Sequence, residues 1–174
     1  GARVTLNDAQ PAAKVDLRDM ADVHGVTYVF DGHPLALLDD CDLLCLSGGV
    51  PIDLPIVLEA RRRGIALSND AQIFFEVCPA PIIAITGSAG KTTTTTLVGE
   101  ILRAARTVWV GGNIGNPLIT DAGRIQSADT VVMELSPVQL EQMTRSPHIA
   151  CITNITPNHL DRHGTMDAYI AAKK

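Results

Sequence analysis

Short apolar runs alternate with longer amphipathic stretches along most of the chain. The apolar runs predict strands at 3–6, 26–30, 42–46, 65–67, 82–85, 107–110, 129–135 and 149–155. The stretches between them predict helices at 55–63, 71–77 and 97–105, and one that begins at Asp167. Strands that alternate with helices are typical of a mostly parallel sheet with helices on its faces, so the pattern predicts an α/β fold.

The alternation is interrupted once, at Cys78-Pro79-Ala80-Pro81. Two prolines within three positions cannot continue a helix, because proline lacks the backbone N–H and clashes with the preceding turn. We therefore predict a boundary here, between a unit at 1–78 and a second α/β unit at 79–174.

The second unit opens with the run Thr-Gly-Ser-Ala-Gly-Lys-Thr-Thr-Thr-Thr-Thr at 86–96, directly after an apolar strand. A small-residue loop between a strand and a helix can turn backbone N–H groups toward a phosphate. The common phosphate-loop pattern has a glycine where this chain has Ile85. The sequence predicts ATP contacts from Gly87, Ser88, Ala89, Gly90, Lys91, Thr92 and Thr93, with Lys91 on the outer phosphates and the Thr92 hydroxyl on Mg²⁺.

An alternative is a glycine-rich turn followed by a strand, because five consecutive β-branched threonines favour extended structure. Under that alternative residues 86–96 do not bind a nucleotide.

Three further loops follow predicted strands, at 111–117, 134–136 and 154–159. Loops at the carboxyl ends of parallel strands meet at one edge of the sheet, where ligands bind. Glu134 is positioned to oppose Thr92 across a triphosphate-bound Mg²⁺, although a glutamate at a strand end can also be merely solvated. Ser136 and Gln139 are short polar neighbours that could reach a substrate.

His159 follows the strand 149–155 in the segment Asn-His-Leu-Asp-Arg-His. Its position at a strand exit favours a role in metal or phosphate binding. The alternative is an exposed histidine without a ligand.

Charge and composition exclude several classes of function. The net charge is −5, and the only basic cluster, Arg61-Arg62-Arg63, lies at a predicted helix end, where cations favour the dipole. We therefore expect no nucleic-acid surface and no membrane insertion. The four cysteines follow no zinc or redox spacing, and no signal peptide is evident, so we expect a cytoplasmic protein with reduced thiols.

The chain opens in a predicted strand and stops in a helical pattern. We expect it to be part of a longer protein.

Four segments together resemble the Mur ligase superfamily, the ATP-dependent amide ligases of peptidoglycan precursor synthesis. They are residues 84–93, the Val-Gly-Gly-Asn-Ile-Gly-Asn-Pro segment at 110–117, the Glu-Leu-Ser-Pro-Val-Gln-Leu-Glu segment at 134–141, and residues 154–173. The second and third are most similar to the branch that adds D-glutamate to UDP-N-acetylmuramoyl-L-alanine.

The resemblance implies a Rossmann-like N-terminal domain without its first strand and turn, followed by part of the P-loop ATP-binding domain. It implies catalytic roles for Lys91, His159 and Lys173, with Lys173 at the position that the family carbamylates. It implies metal ligation by Thr92, Glu134 and His159, and substrate contacts from Ser47, Gly49, Asn113, Ser136 and Gln139. Pro137-Val138 replaces the usual Ser-Phe of the family.

Three alternatives stay open at this point. The parent protein could be a sister Mur ligase or a folylpolyglutamate synthase, which share the loop and the glutamate. It could instead be a P-loop regulatory module that signals by conformation, or the chain could be a folding unit with incomplete sites. Under the main interpretation the chain by itself does not ligate.

Overall fold

The computed structural model describes residues 1–16, 25–115, 117–157, 164–171 and 173. The chain divides into two compact units, Gly1–Leu44 with Pro51–Ala66, and Cys45–Val50 with Leu67–Lys174. These units follow from compactness, so the predicted domain boundary at 78–79 stays a prediction.

In the part of the first unit that the structure describes, a parallel pair of short strands is accompanied by an α-helix. Strand β1 (Val4–Asn7) pairs in parallel with β2 (Val26–Val29), in a register that begins at Val4 and Val26. Helix α1 (Pro55–Arg63) begins with proline in its first turn and ends at Gly64, whose φ of 73° is left-handed. Its buried face includes Val57 and Ala60, both fully buried.

Two short strands and a helix lead to the second half of the chain. Strands β3 (Leu43–Cys45) and β4 (Ala66–Ser68) form a two-stranded sheet. Helix α2 (Asp70–Val77) begins after Asn69, whose side chain accepts a hydrogen bond from the Gln72 N–H.

The main sheet of the second unit has four parallel strands. They are β5 (Ile82–Thr86), β6 (Val108–Gly112), β7 (Thr130–Glu134) and β8 (Ile149–Ile152), in the spatial order β6-β7-β5-β8. Helix α3 (Lys91–Arg103) follows β5, the single-turn helix α4 (Pro137–Leu140) follows β7, and α5 (Met166–Ala171) comes last. The predicted α/β fold with a mostly parallel sheet is confirmed.

The core of this unit lies around the two central strands. All five residues of β7 are buried, and Ile82, Ala84 and Ile85 of β5 are buried beside them. This burial explains why these strands are continuous apolar runs rather than alternating ones.

The structure corrects the predicted start of α3. The helix begins at Lys91, six residues before the predicted position, so the threonines are helical and the threonine-strand alternative is wrong. Gly90 precedes the helix with a left-handed φ of 78°, and Thr95 is fully buried. β-branching lowers helix propensity only slightly, and packing overrides it.

Strand boundaries differ from the predictions by a few residues. Strand β6 continues to Gly112, whereas β8 ends at Ile152 rather than at 155. Beyond β8, Thr153, Asn154 and Thr156 hydrogen-bond to the loop that follows β5. None of the helices in the described part of the chain is both long and apolar enough to cross a membrane.

Candidate functional site

The loop between β5 and α3 depends on two glycines. Gly87 has a φ of 145° and Gly90 a φ of 78°, conformations that side chains other than glycine rarely adopt. A Cβ at Gly87 would lie 2.0 Å from the Thr153 hydroxyl. Glycine at 87 therefore allows the loop to approach residues 153–154 directly.

Asn154 holds this loop through its backbone and its side chain. The Ser88 N–H donates to the Asn154 carbonyl at 3.0 Å. The side-chain amide accepts from the Ala89 N–H at 3.0 Å and donates to the Ala89 carbonyl at 2.9 Å. The Thr153 hydroxyl donates to the same carbonyl at 2.6 Å.

Lys91 lies in the first turn of α3, and its side chain folds back over the loop. Its Nζ donates to the Gly87 carbonyl at 3.1 Å. A cation is thereby held beside the helix N-terminus, where backbone N–H groups point away from the helix. This arrangement suits an anionic ligand.

Glu134 ends β7 with only 2% of its surface exposed. Its Oε2 accepts from the Thr92 hydroxyl at 2.8 Å, and its Oε1 accepts from the Asn113 side-chain amide at 2.9 Å. The register explains this meeting, because Glu134 pairs with Ile85 of β5 and with Gly112 of β6. The predicted convergence of these loops at one sheet edge is confirmed.

The donor set suits Mg²⁺. A threonine hydroxyl and a carboxylate are hard oxygen ligands, and Mg²⁺ in nucleotide sites takes only one or two protein groups besides phosphates and water. Among the described residues there is no cluster of three or more His, Cys, Asp and Glu side chains. His159 lies outside the described residues, so its predicted metal role stays a prediction.

Lys173 is the buried amine of the site, with 5% of its surface exposed. Its Nζ donates to the Thr86 hydroxyl at 3.2 Å and to the Gly87 carbonyl at 3.4 Å. It also lies 4.9 Å from the centre of the Tyr169 ring. Burial, and secondly the positive charge of Lys91, lower the pKa of Lys173 from 10.5 to about 8.

Ser136 and Gln139 form a capping box at the start of α4. The Ser136 hydroxyl accepts from the Gln139 backbone N–H, and the side-chain amide oxygen of Gln139 accepts from the Ser136 backbone N–H. The Gln139 amide also donates toward both Asp70 oxygens at 3.4 Å. Both side chains thus have structural partners, and their predicted contact with a substrate stays a prediction.

Ser47 and Gly49 lie in an exposed turn that the Val50 N–H closes by donating to the Ser47 carbonyl at 3.0 Å. Their predicted substrate contacts stay predictions. Asn113 is brought to Glu134, as described above.

Four residues that shape the site carry no prediction from the sequence: Thr86, Thr153, Asn154 and Tyr169. Thr86, the last residue of β5, donates from its hydroxyl at 2.9 Å to the carbonyl of Leu135, which directly follows β7. An amide at a strand exit was a usable signal for Asn154. Tyr169 gave none, because a buried tyrosine in a helix is ordinary core.

The sequence of the chain is similar to a known protein family and to individual members of it. The Mur ligase middle domain model matches residues 85–174. A UDP-N-acetylmuramoylalanine–D-glutamate ligase from Symbiobacterium thermophilum is 51% identical over the whole chain. A protein of the same name from Acetivibrio thermocellus is 47% identical over 76% of the chain and 29% of its own length. The chain spans 39% of the length of the first of these relatives.

A solved structure shows the same fold. The UDP-N-acetylmuramate–alanine ligase of Thermotoga maritima superposes with a TM-score of 0.51 at 25% identity, over 90% of this chain and 36% of that one.

Proposed function

We propose an activity for this protein from the premise that the chain belongs to the Mur ligase family, whose middle-domain model matches residues 85–174. The activity is an ATP-dependent, ADP-forming ligation of D-glutamate to UDP-N-acetylmuramoyl-L-alanine, a step in peptidoglycan precursor synthesis. It belongs to the longer parent protein, and this chain contributes the ATP-binding part. Names at 47% and 51% identity support the choice of substrates.

One observation carries the proposal: the Thr92 hydroxyl donates to the buried Glu134 carboxylate at 2.8 Å, beside a glycine-rich loop that begins a helix. This pairing places a hydroxyl and a carboxylate where a nucleotide-bound Mg²⁺ needs protein oxygens. When bound, Mg²⁺ would neutralise phosphate charge during phosphoryl transfer.

The chain's own residues then have distinct tasks. Lys91 binds and orients the terminal phosphate of ATP, because its amine lies over the loop. Asn113 orients Glu134 through the hydrogen bond at 2.9 Å, and it faces the muramoyl substrate with its exposed surface. Ser47 and Gly49 contact the uridine end, and Ser136 and Gln139 line the muramoyl side. Together with Lys91, the proposed catalytic residues are His159 and Lys173.

The reaction has two steps. The terminal carboxylate of the nucleotide-sugar substrate attacks the γ-phosphorus of ATP, the bond to the bridging oxygen breaks, and ADP leaves. The amine of D-glutamate then attacks the resulting acyl phosphate, loses a proton and expels phosphate. For the first step the protein supplies mainly alignment of two anions and fixed positive charge, for which Lys91 is suited.

The parent is assigned to the cytoplasm, where ATP and nucleotide-linked precursors are available.

The test is ADP release by the full-length parent with Mg-ATP and UDP-N-acetylmuramoyl-L-alanine, across a panel of amino acids. Release that requires both this substrate and D-glutamate is the expected result. Release with another acceptor or carrier would assign the protein to a sister ligase or a folylpolyglutamate synthase. Release without any carboxylate substrate would leave a nucleotide-binding regulatory module.

A further inference from the structure

The phosphate loop is attached to the protein by residues that lie outside the loop and outside the proposed roles. Two elements supply them: the segment 153–156 that follows β8, and helix α5. Such contacts can stabilise the fold, and they can also fix the loop conformation that binds a nucleotide.

The Ser88 hydroxyl has no hydrogen-bonding capacity left for a phosphate. Its single hydrogen goes to the Thr156 carbonyl at 2.9 Å. It accepts from the Thr156 N–H at 2.9 Å and is also hydrogen-bonded to the Tyr169 hydroxyl at 2.9 Å. Contact between this hydroxyl and a phosphate would require one of these bonds to break.

The backbone of Ala89 is similarly occupied. Its N–H and its carbonyl both bond to the side-chain amide of Asn154, at 3.0 Å and 2.9 Å. Two bonds from one planar amide hold the peptide groups on both sides of Ala89. Asn154 is itself exposed, so it contributes little to the core.

The two halves of the loop therefore make different contacts. The first half, Ser88 and Ala89, hydrogen-bonds to residues 154 and 156 and to helix α5. Its second half, Gly90 and the first turn of α3, presents the helix N-terminus and Lys91.

Tyr169 connects this arrangement to the other side of the site. Its hydroxyl bonds to Ser88, and its ring lies 4.9 Å from the Lys173 amine. Displacement of the tyrosine would therefore disturb the loop and the lysine together.

We propose that Asn154 and Tyr169 are positioning residues for nucleotide binding, which clamp the first half of the phosphate loop through Ser88 and Ala89. This inference rests on the proposed function for its ligand, ATP.

The test uses the full-length parent and measures the dissociation constant for Mg-ADP by calorimetry, the KM for ATP, the KM for the carboxylate substrate, and the melting temperature. Asn154→Ala removes both bonds to Ala89, and Asn154→Asp keeps only the acceptor for its N–H. Gln126→Ala is the control, because it removes an exposed amide far from the loop in sequence.

We expect Asn154→Ala to raise the Mg-ADP dissociation constant and the KM for ATP about tenfold, the equivalent of one to two hydrogen bonds. Asn154→Asp should raise both at least as much, because the carboxylate cannot donate to the Ala89 carbonyl and adds a negative charge beside the loop. The KM for the carboxylate substrate and the melting temperature should match those of Gln126→Ala. A lowered melting temperature with unchanged nucleotide affinity would overturn the proposal, since it is the signature of a purely structural role.

A second, independent test of the proposal uses Ser88 and Tyr169. Tyr169→Phe removes one hydroxyl, and we expect it to weaken Mg-ADP binding about threefold in the wild-type background. In a Ser88→Ala background the same change should cost less, because the Ser88 partner is already absent. Equal losses in both backgrounds, or no loss in either, would contradict the clamp.

Mg-ADP binding is measured without a carboxylate substrate. Failure of the ligase assignment therefore leaves this test intact, and failure of the clamp leaves the ligase assignment intact.

Discussion

At the scale of single residues, the site depends on a few side chains whose charges are held in place by neighbours. Glu134 is buried, and two donors orient its carboxylate. Lys91 and Lys173 bring two amines to the Gly87 carbonyl, at 3.1 Å and 3.4 Å. Each of these groups supports a separate prediction.

Replacement of Glu134 by glutamine keeps the shape of the side chain and removes its charge. We expect Glu134→Gln to lower the ADP-release rate of the parent by about 10²-fold, as loss of a buried electrostatic group typically does. Glu100→Gln changes an exposed glutamate on α3 and should leave the rate unchanged. Comparable ADP-release rates in the two variants would contradict the assignment of Glu134 as a metal ligand.

Lys91→Ala removes the cation over the phosphate loop. We expect it to abolish most of the ADP release, because it removes the cation held over the loop at the N-terminus of α3. Lys14→Ala is the matched control, since Lys14 is exposed at the end of a short turn in the first unit. Near-normal ADP release by Lys91→Ala would contradict the assignment of this loop to ATP phosphate binding.

Lys173 supports a prediction about pH. Its pKa of about 8 means that the amine is protonated below that pH and neutral above it. Only the neutral amine reacts with CO₂ to form a carbamate, so the carbamylated fraction should rise from about pH 7 to about pH 9. NMR of the parent in ¹³C-bicarbonate measures this signal, and Lys173→Arg supplies the blank. A signal that falls with rising pH would contradict the assignment.

At the scale of elements, close approach of backbones decides where the site residues lie. Gly112 ends β6 with a φ of 102°, and a Cβ there would lie 2.4 Å from the Glu134 carbonyl. The glycine therefore lets β6 and β7 bring Asn113 against Glu134.

Gly112→Ala should displace the end of β7 and lower the free energy of unfolding by about 2–4 kcal/mol. Gly123→Ala is the matched control, because a Cβ at Gly123 would meet nothing within 4 Å, and we expect a change within about 0.5 kcal/mol. Chemical denaturation of both variants measures the difference. Equal stabilities would show that the sheet accommodates the added methyl group.

The helix after the phosphate loop shows how elements override residue preference. Threonine favours strand, yet residues 92–96 are helical in α3. Gly90 sets the entry to the helix, and burial of Thr95 and Gly99 fixes its inner face. A Cβ at Gly99 would lie 2.5 Å from a Val110 methyl group, which shows how closely α3 packs on β6.

At the scale of the whole molecule, the chain spans 39% of the length of the Symbiobacterium relative. We expect the 174-residue chain alone to show no D-glutamate-dependent ADP release, whereas the full-length parent does. The same assay, run on both proteins at equal concentration, measures this. Full activity of the chain alone would mean that every catalytic group lies within it.

Much of this protein could be predicted from the order of its residues. Apolar runs between helical stretches predicted the parallel α/β sheet, and the Gly-Ser-Ala-Gly-Lys-Thr segment predicted the phosphate loop. These features are readable because a parallel strand buried on both faces must be apolar, and because a tight anion-binding turn needs glycine.

Only the tertiary structure decided which side chains meet. The bonds from Asn154 to Ala89 and from Tyr169 to Ser88 join residues 65 and 81 positions apart. The low pKa of Lys173 likewise comes from burial against elements distant in sequence. Local patterns carry propensity and burial, whereas the strand order β6-β7-β5-β8 determines which loops become neighbours. The sequence by itself therefore determined the elements and the chemistry of the loop, and the fold decided what holds that loop in place.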